Sequence, residues 1–138
     1  MNTLAATVAS GALVLLLAGC GGSPTPAPSF GFGDDAVAIA RAVKACRAAS
    51  SQTVPADATG ISSIATCSIT GSQVDFVVWT DAAAQKAQGP VATSTEEAYV
   101  AHGDGWDAVT HSSGRVSAQK VIATSIVASA GGKVVHVK

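Results

Sequence analysis

Apolar and polar positions recur along this chain with different spacings, and each spacing predicts a different kind of element. From Leu4 to Ala18 a run of apolar and small residues contains no charged side chain. At about 15 residues it is shorter than the roughly 20 that span hydrocarbon and has the length of a signal-peptide h-region. Gly21 to Gly33, GGSPTPAPSFGFG, shows no apolar period and no charge, and its Pro, Ser and Gly content is that of an extended tether. The spacing then turns helical. In DDAVAIARAVKACRAAS, Ala36, Ile39, Val43 and Cys46 recur at three- and four-residue steps behind Asp34 and Asp35, which suit a helix N-terminus. Cys46 is thereby expected on the core face of this first helix.

Alternation with a period of two follows. IATCSIT and QVDFVVWT flank Gly71-Ser72, a two-residue loop of the Gly-X type. That register sets Ile69 opposite Val74, Cys67 opposite Phe76 and Ala65 opposite Val78, so one face of the hairpin is apolar and Cys67 points at the core. Asp81 caps a short helix, DAAAQKAQ, which Gly89-Pro90 stops. Ser94 and Glu97 have the spacing of a capping box, whereas YVAH and WDAVT read as strands, and a second hairpin after a brief turn is the expectation. With Asp104-Gly105 at its turn, Val100 lies opposite Val109, His102 opposite Asp107, and Trp106 covers Gly103. A last helix spans Val116 to Ala130, with Val121, Ile122 and Ile126 inward and Gly131 at its C-terminal cap. A final strand runs from Val134 to Val137, parallel to Trp106–Thr110 if the two are neighbours, since such crossovers are right-handed. Lys133 and Lys138 would protect its edge. The sum is an α+β fold, a mixed, mostly antiparallel sheet with helices packed on one face, in the rough order α-β-β-α-β-β-α-β.

The end of the first apolar run, Leu17-Ala18-Gly19-Cys20, resembles a bacterial lipobox, in which the cysteine thiol receives a diacylglyceryl group before the signal is cleaved. The resemblance implies a signal peptide over residues 1–19, lipidation at Cys20, a tether over 20–33 and a single domain over 34–138. An ordinary secretory signal or a retained anchor are the competing readings. Met1 to Ala12 carries no Lys or Arg, unlike the usual n-region, so either the terminal amine suffices or translation starts upstream. Thirteen spacer residues near polyproline geometry would reach about 40 Å from the lipid.

Charge narrows the partners. All eight Lys and Arg and all nine Asp and Glu lie after Gly33, for a net charge of −1. Such a balance lacks the basic footprint of nucleic-acid binding, and no polybasic stretch suggests a grip on anionic lipid. With Cys20 assigned to lipid, Cys46 and Cys67 remain in an exported chain and are expected to pair. Free redox thiols are the weaker reading, because there is no CxxC.

Helix Cys46, strand Cys67, a hairpin ending in Trp79, the Gly103-Asp104-Gly105-Trp106 segment and a terminal helix closing on Gly131-Gly132 form a loose pattern. It resembles a group of small actinobacterial-type secreted proteins and lipoproteins with a disulfide-bonded α/β domain, many without an assigned activity. The resemblance implies a cell-envelope location and supports the disulfide. It brings no catalytic residues with it.

Candidate chemistry is sparse. His102, His111 and His136 belong to no HxH, HExxH or Cys/His spacing, so no metal site is expected. His102 with Asp107 and a serine would imitate a hydrolase triad, but no Gly-x-Ser-x-Gly elbow marks a nucleophile. Glu96-Glu97 read as a charged helix start, and Gly103-Asp104-Gly105 as a turn. Trp79 and Tyr99 are the large aromatics left between core and surface, and exposed together they would form a ligand platform or an interface anchor. The reading is a non-enzymatic envelope lipoprotein, held at the membrane by lipid on Cys20. Its domain binds a protein, glycan or small ligand, without a cofactor and without nucleic acid. The alternative is a small hydrolase or transferase using His102 and Asp107.

Overall fold

The computed structural model describes residues 21–22, 25–111 and 115–138. Cys20 and the signal segment lie outside the described residues. The chain folds as an α+β domain in the order α1 (Ala36–Ala42), β1 (Arg47–Gln52), β2 (Ile61–Ile69), β3 (Ser72–Trp79), α2 (Ala82–Gln88), α3 (Pro90–Thr93), β4 (Ala98–Gly103), β5 (Trp106–His111), α4 (Val116–Ala130) and β6 (Lys133–Val137). The six strands form one sheet in the order β1-β2-β3-β5-β4-β6, and every pairing is antiparallel. β6 therefore borders β4 rather than β5: it runs in the direction of β5, but the hairpin partner β4 separates the two.

One face of the sheet makes the main core. Ala65, Cys67, Ile69, Val74, Phe76, Val78, Ala101, Trp106 and Ala108 meet Ala36, Ile39, Ala40 and Val43 of α1 and Ile122, Ala123, Ile126 and Ala130 of α4. Each large side chain buried there contributes about 1.5–3 kcal/mol. The short α2–α3 pair lies over the opposite face, at the end where Trp79 and Asp107 point outward from their strands. The hairpin β4–β5 has the expected register, with Val100 opposite Val109 and His102 opposite Asp107. Trp106 lies so close over Gly103 that any Cβ at residue 103 would overlap the indole.

Several elements depart from expectation. The first helix ends at Ala42, and Cys46 lies in the turn beyond it, its N–H donating to the Val43 carbonyl. Arg47–Gln52 then becomes an edge strand paired with β2. Its RAASSQ composition favours a helix locally, but tertiary pairing overrides a propensity of a few tenths of a kcal/mol per residue. The strand needs a bulge between Arg47 and Ser50, with Ala48 at φ 54. The β2–β3 loop is Thr70-Gly71, not Gly71-Ser72. Both residues have positive φ, 50 and 83, as a type I′ turn requires. The register slides by two, giving Ile69 opposite Ser72, Cys67 opposite Val74 and Ala65 opposite Phe76. A shift of two preserves the faces, so the apolar side remains apolar. α4 has the expected ends, but Val121 is 69% exposed while Ile122, Ile126 and Ala130 make the inward stripe. Val121 sits one residue off that stripe, about 100° around the helix.

The expected tether is also shorter than its composition implied. Phe30 packs against the core, and the Gly33 N–H donates to the Trp79 carbonyl at 3.0 Å. An aromatic anchor and a backbone bond hold a segment that has no periodicity of its own.

Cys46 and Cys67 are joined by a disulfide across a separation of 21 residues. It links the entry of β1, just beyond the end of α1, to β2 of the β2–β3 hairpin, so the hairpin end is as expected and the helix end is not. Replacing both cysteines by alanine is expected to cost about 3 kcal/mol in the loop-entropy account. Urea unfolding of the variant, compared with the wild type before and after reduction, measures it. The reduced wild type should match the variant.

Candidate functional site

Asp107 sits on β5 facing away from the main core, yet it is 0% exposed. A carboxylate in that position needs donors, and three arrive from different elements. The Trp79 indole Nε1–H on β3 donates to Oδ2 at 2.7 Å. His102 Nδ1, directly across the hairpin, lies 2.6 Å from Oδ1. Gln85 Nε2, from α2, is 3.3 Å from Oδ2. An ionised carboxylate only accepts, so His102 Nδ1 carries the proton and donates, and Nε2 is the nitrogen left for the outside.

Gln85 is positioned by a helix with no buried residue of its own. Asp81 starts that helix, its Oδ1 accepting the Ala84 N–H at 2.9 Å. One turn later the Gln85 amide closes the end of the β4–β5 hairpin. Nε2 donates to the carbonyls of Gly103 at 2.9 Å and Trp106 at 3.2 Å, and Oε1 accepts the Gly105 N–H at 3.2 Å. Two N–H groups are thus already engaged, so the approach to Asp107 is a weaker shared contact. The 3.4 Å approach to His102 Nδ1 joins two donors and is not a bond.

The His102 side chain is 29% exposed and borders two clefts. The first, about 280 Å³, is lined by Ala82, Gln85, Lys86, Val91, Ala92 and His102. The second, about 360 Å³, lies between Gln85, His102, Gly103, Asp104, Gly132 and Lys133. No serine, threonine or cysteine is among the described residues lining either cleft, so none of the described residues places a triad nucleophile in them.

The other sequence candidates fall elsewhere. Trp79 is 3% exposed and its indole is committed to Asp107, so it is not a surface aromatic. Tyr99 is half-buried on the other side of the sheet, where its ring stacks on His136 at 4.4 Å and Lys120 lies 5.6 Å from its centroid. Trp79 and Tyr99 therefore form no common platform, which corrects that expectation. The three histidines are kept apart, each held by a carboxylate on a neighbouring segment: His102 by Asp107, His111 by Asp75 and His136 by Glu97. Among the described residues no group of three or more potential ligands gathers to hold a metal ion. Glu96 and Glu97 precede β4 outside any helix, and Ser94 donates to the Glu96 carbonyl instead of capping. Sequence reasoning paired His102 with Asp107 but missed Gln85 and the role of Trp79. A buried indole N–H always wants an acceptor, and that was the available signal.

Comparison with known proteins finds no matching family model, no matching curated protein and no matching solved structure.

Two outcomes follow from this geometry. Asp107→Ala leaves the Trp79 N–H and His102 without their acceptor, and a loss of roughly 3 kcal/mol is expected in urea unfolding, with a smaller loss for Asp107→Asn. The second concerns acid. The Ala84 N–H, and more weakly the Thr80 hydroxyl, hold the Asp81 carboxyl below its ordinary value of 3.8. With the folded value below the unfolded one, the charged cap stabilises the fold at neutral pH, and this contribution is lost as the pH falls through the depressed value. The stability gap between wild type and Asp81→Ala should therefore narrow when unfolding is repeated from pH 7 down into the acid range.

Proposed function

We propose that this chain is a cell-envelope lipoprotein, anchored through lipid on Cys20 at the extracytoplasmic side of the cell membrane, and that its domain is a binding module rather than an enzyme. The lipobox-like Leu17-Ala18-Gly19-Cys20 and the loose resemblance to small actinobacterial-type lipoproteins support the location. A disulfide joining Cys46 and Cys67 fits an oxidising compartment.

The observation that carries the binding reading is the fixing of His102. Its Nδ1 is tied to a buried carboxylate, so Nε2 is held in one orientation at the rim of a cleft with an apolar wall, Ala82, Val91 and Ala92, and a cation, Lys86. Such a pocket suits a small ligand that offers an acceptor oxygen to Lys86, a hydroxyl or other donor to His102 Nε2, which accepts, and a short apolar part to the wall. An envelope protein or glycan carrying that group would be recognised in the same way. The alternative, a small hydrolase or transferase, rests on the same His–Asp pair acting as general base on water.

Two measurements test the proposal. The intact mass of protein extracted from membranes, beside a Cys20→Ser variant, should show a mature chain beginning at a lipid-modified Cys20, and an unmodified secreted chain would overturn the anchor. For the site, sodium 3-hydroxybutyrate, with a carboxylate for Lys86 and a hydroxyl to donate to His102 Nε2, titrated into isotope-labelled protein should shift the amide signals of residues 82–92 and the His102 ring, and His102→Ala should abolish the shifts. Unchanged or scattered signals would overturn the pocket reading. His102-dependent turnover of p-nitrophenyl butyrate would replace binding by the hydrolase.

A further inference from the structure

The route of the chain into the domain puts an uncompensated positive surface beside the anchor. Thr25 to Pro28, all exposed, lie alongside Ala42 and Lys44 at the end of α1 and Ala128 and Ser129 on α4, with a cleft of about 530 Å³ between. The chain then passes Gly103, Trp106 and Gly131, inserts Phe30 against the core, runs its backbone at Gly31 and Phe32 against Gly105, and reaches the Trp79 carbonyl at Gly33. It enters, in other words, at the C-terminal end of α1.

That end is basic. Arg41, Lys44 and Arg47 are exposed and fall within seven positions, and none of them takes part in an ion pair among the described residues. No Asp or Glu occurs in the segments around them: none between Gly21 and Gly33, none between Ala36 and Ala56, and none from Ala108 to the end, which includes all of α4 and β6. The nine acids lie at Asp34 and Asp35 at the opposite end of α1, at Asp57, and along the β3, α2 and β4–β5 segments; Asp34 accepts the Gly31 N–H and Asp104 borders the strap at Ala27 to Phe30, whereas the cleft that the strap shares with Lys44 is lined by no acid. The near-zero net charge thus hides an uneven distribution, with bases alone from the end of α1 to the start of β1.

We propose that the face marked by Arg41, Lys44 and Arg47 docks on an anionic lipid surface and sets the orientation of the domain on its membrane. The inference rests on the anchoring of Cys20 proposed above. Five residue steps separate Cys20 from Thr25, a reach of at most about 18 Å. A free spacer to Gly33 would have allowed about 40 Å. The Debye length is about 8 Å in physiological salt, so the cations feel headgroup charge only close to the surface, and the shorter leash confines the domain to a thinner layer in which such encounters are more frequent. Lipid on Cys20 supplies attachment, and the basic face selects one orientation among those the leash permits. In that orientation the strap side faces the bilayer, while the cleft lined by Lys86 and Val91 opens from the opposite face of the sheet.

The test attaches the lipid chemically, so that it does not depend on lipidation by the cell. A mature chain beginning at Cys20 is coupled through that thiol to a maleimide phospholipid, Cys46 and Cys67 being occupied by their disulfide. It is inserted into vesicles of phosphatidylcholine alone or mixed equally with phosphatidylglycerol. Hydrogen exchange at the Thr25 and Ala27 amides and across residues 41–47 should slow in the anionic vesicles only, and high salt should reverse it. The variant Arg41→Gln/Lys44→Gln/Arg47→Gln should lose the slowing, at about fivefold in occupancy per charge removed, whereas Lys86→Gln/Lys133→Gln should retain it. Unchanged exchange in β3 and β5 verifies that each variant is folded. Equal exchange in both vesicles, or slowing that survives the triple variant, overturns the docking face. The mass of the native membrane-extracted protein separately decides the anchor.

Discussion

A carboxylate cut off from water must be answered by donors, and Asp107 dictates where several separate pieces of the chain go. Left unpaired in the interior it would cost several kcal/mol. It is answered instead by the Trp79 indole from β3 and by His102 from β4, with the Gln85 amide of α2 at a longer distance. These donors fix the β3–β5–β4 register from the outer side, while Phe76, Ala108 and Ala101 fix it from the core side. They also explain why α2, with no buried residue, occupies a defined place: its link to the sheet is polar and runs through Gln85.

The same constraint separates the two sides of the sheet. On the core side the packing is apolar and continuous, closed by α1 and α4 and stapled by Cys46–Cys67. On the outer side burial is local, and Trp79 and Asp107 are covered where α2–α3 reach while Val77 and Val109 remain half-buried. Histidines on this domain follow a common pattern, each answering a carboxylate across a strand pair or segment. For His111 and His136 the carboxylates, Asp75 and Glu97, are partly exposed, whereas only His102 leans on one that is fully enclosed. A fully enclosed partner holds the ring in a single tautomer and orientation, which a solvated one does not.

Where local signals agreed with tertiary demands, the chain was legible in advance. Asp104-Gly105 set the β4–β5 register and so the His102–Asp107 pairing, and the 116–130 periodicity with Gly131 set both ends of α4. The α+β class followed from these elements. Arg47–Gln52 was not legible, because Ala, Ser and Gln carry no alternation and their strand exists only where β2 offers an open edge. Thr70 at φ 50 was hidden for a related reason: Gly71 alone advertised the turn, and its partner is a β-branched residue that rarely adopts that conformation. In the site, His102 and Asp107 could be paired from strand register, but Gln85 comes from a helix whose docking leaves no hydrophobic trace in sequence. Trp79 was ambiguous because its outward position on β3 looks exposed until Asp107 is known to be underneath it.

Net charge misled in the same way as local composition did, by averaging over what the fold separates. Nine acids and eight bases nearly cancel along the chain, yet α4 and β6 contribute no acid, and the end of α1 with the start of β1 contributes only bases. The entry strap begins on this same side, at Thr25 to Pro28, and is fastened farther along by Phe30 and the Gly33–Trp79 bond. Trp79 thereby links the two ends of the molecule. Its carbonyl holds the incoming chain, and its indole holds the carboxylate that aims His102. Any displacement of the strap that pulls on the Trp79 backbone acts on the strand that positions Asp107. The entry of the chain into the domain and the geometry of the cleft therefore meet in one residue, at the end of β3.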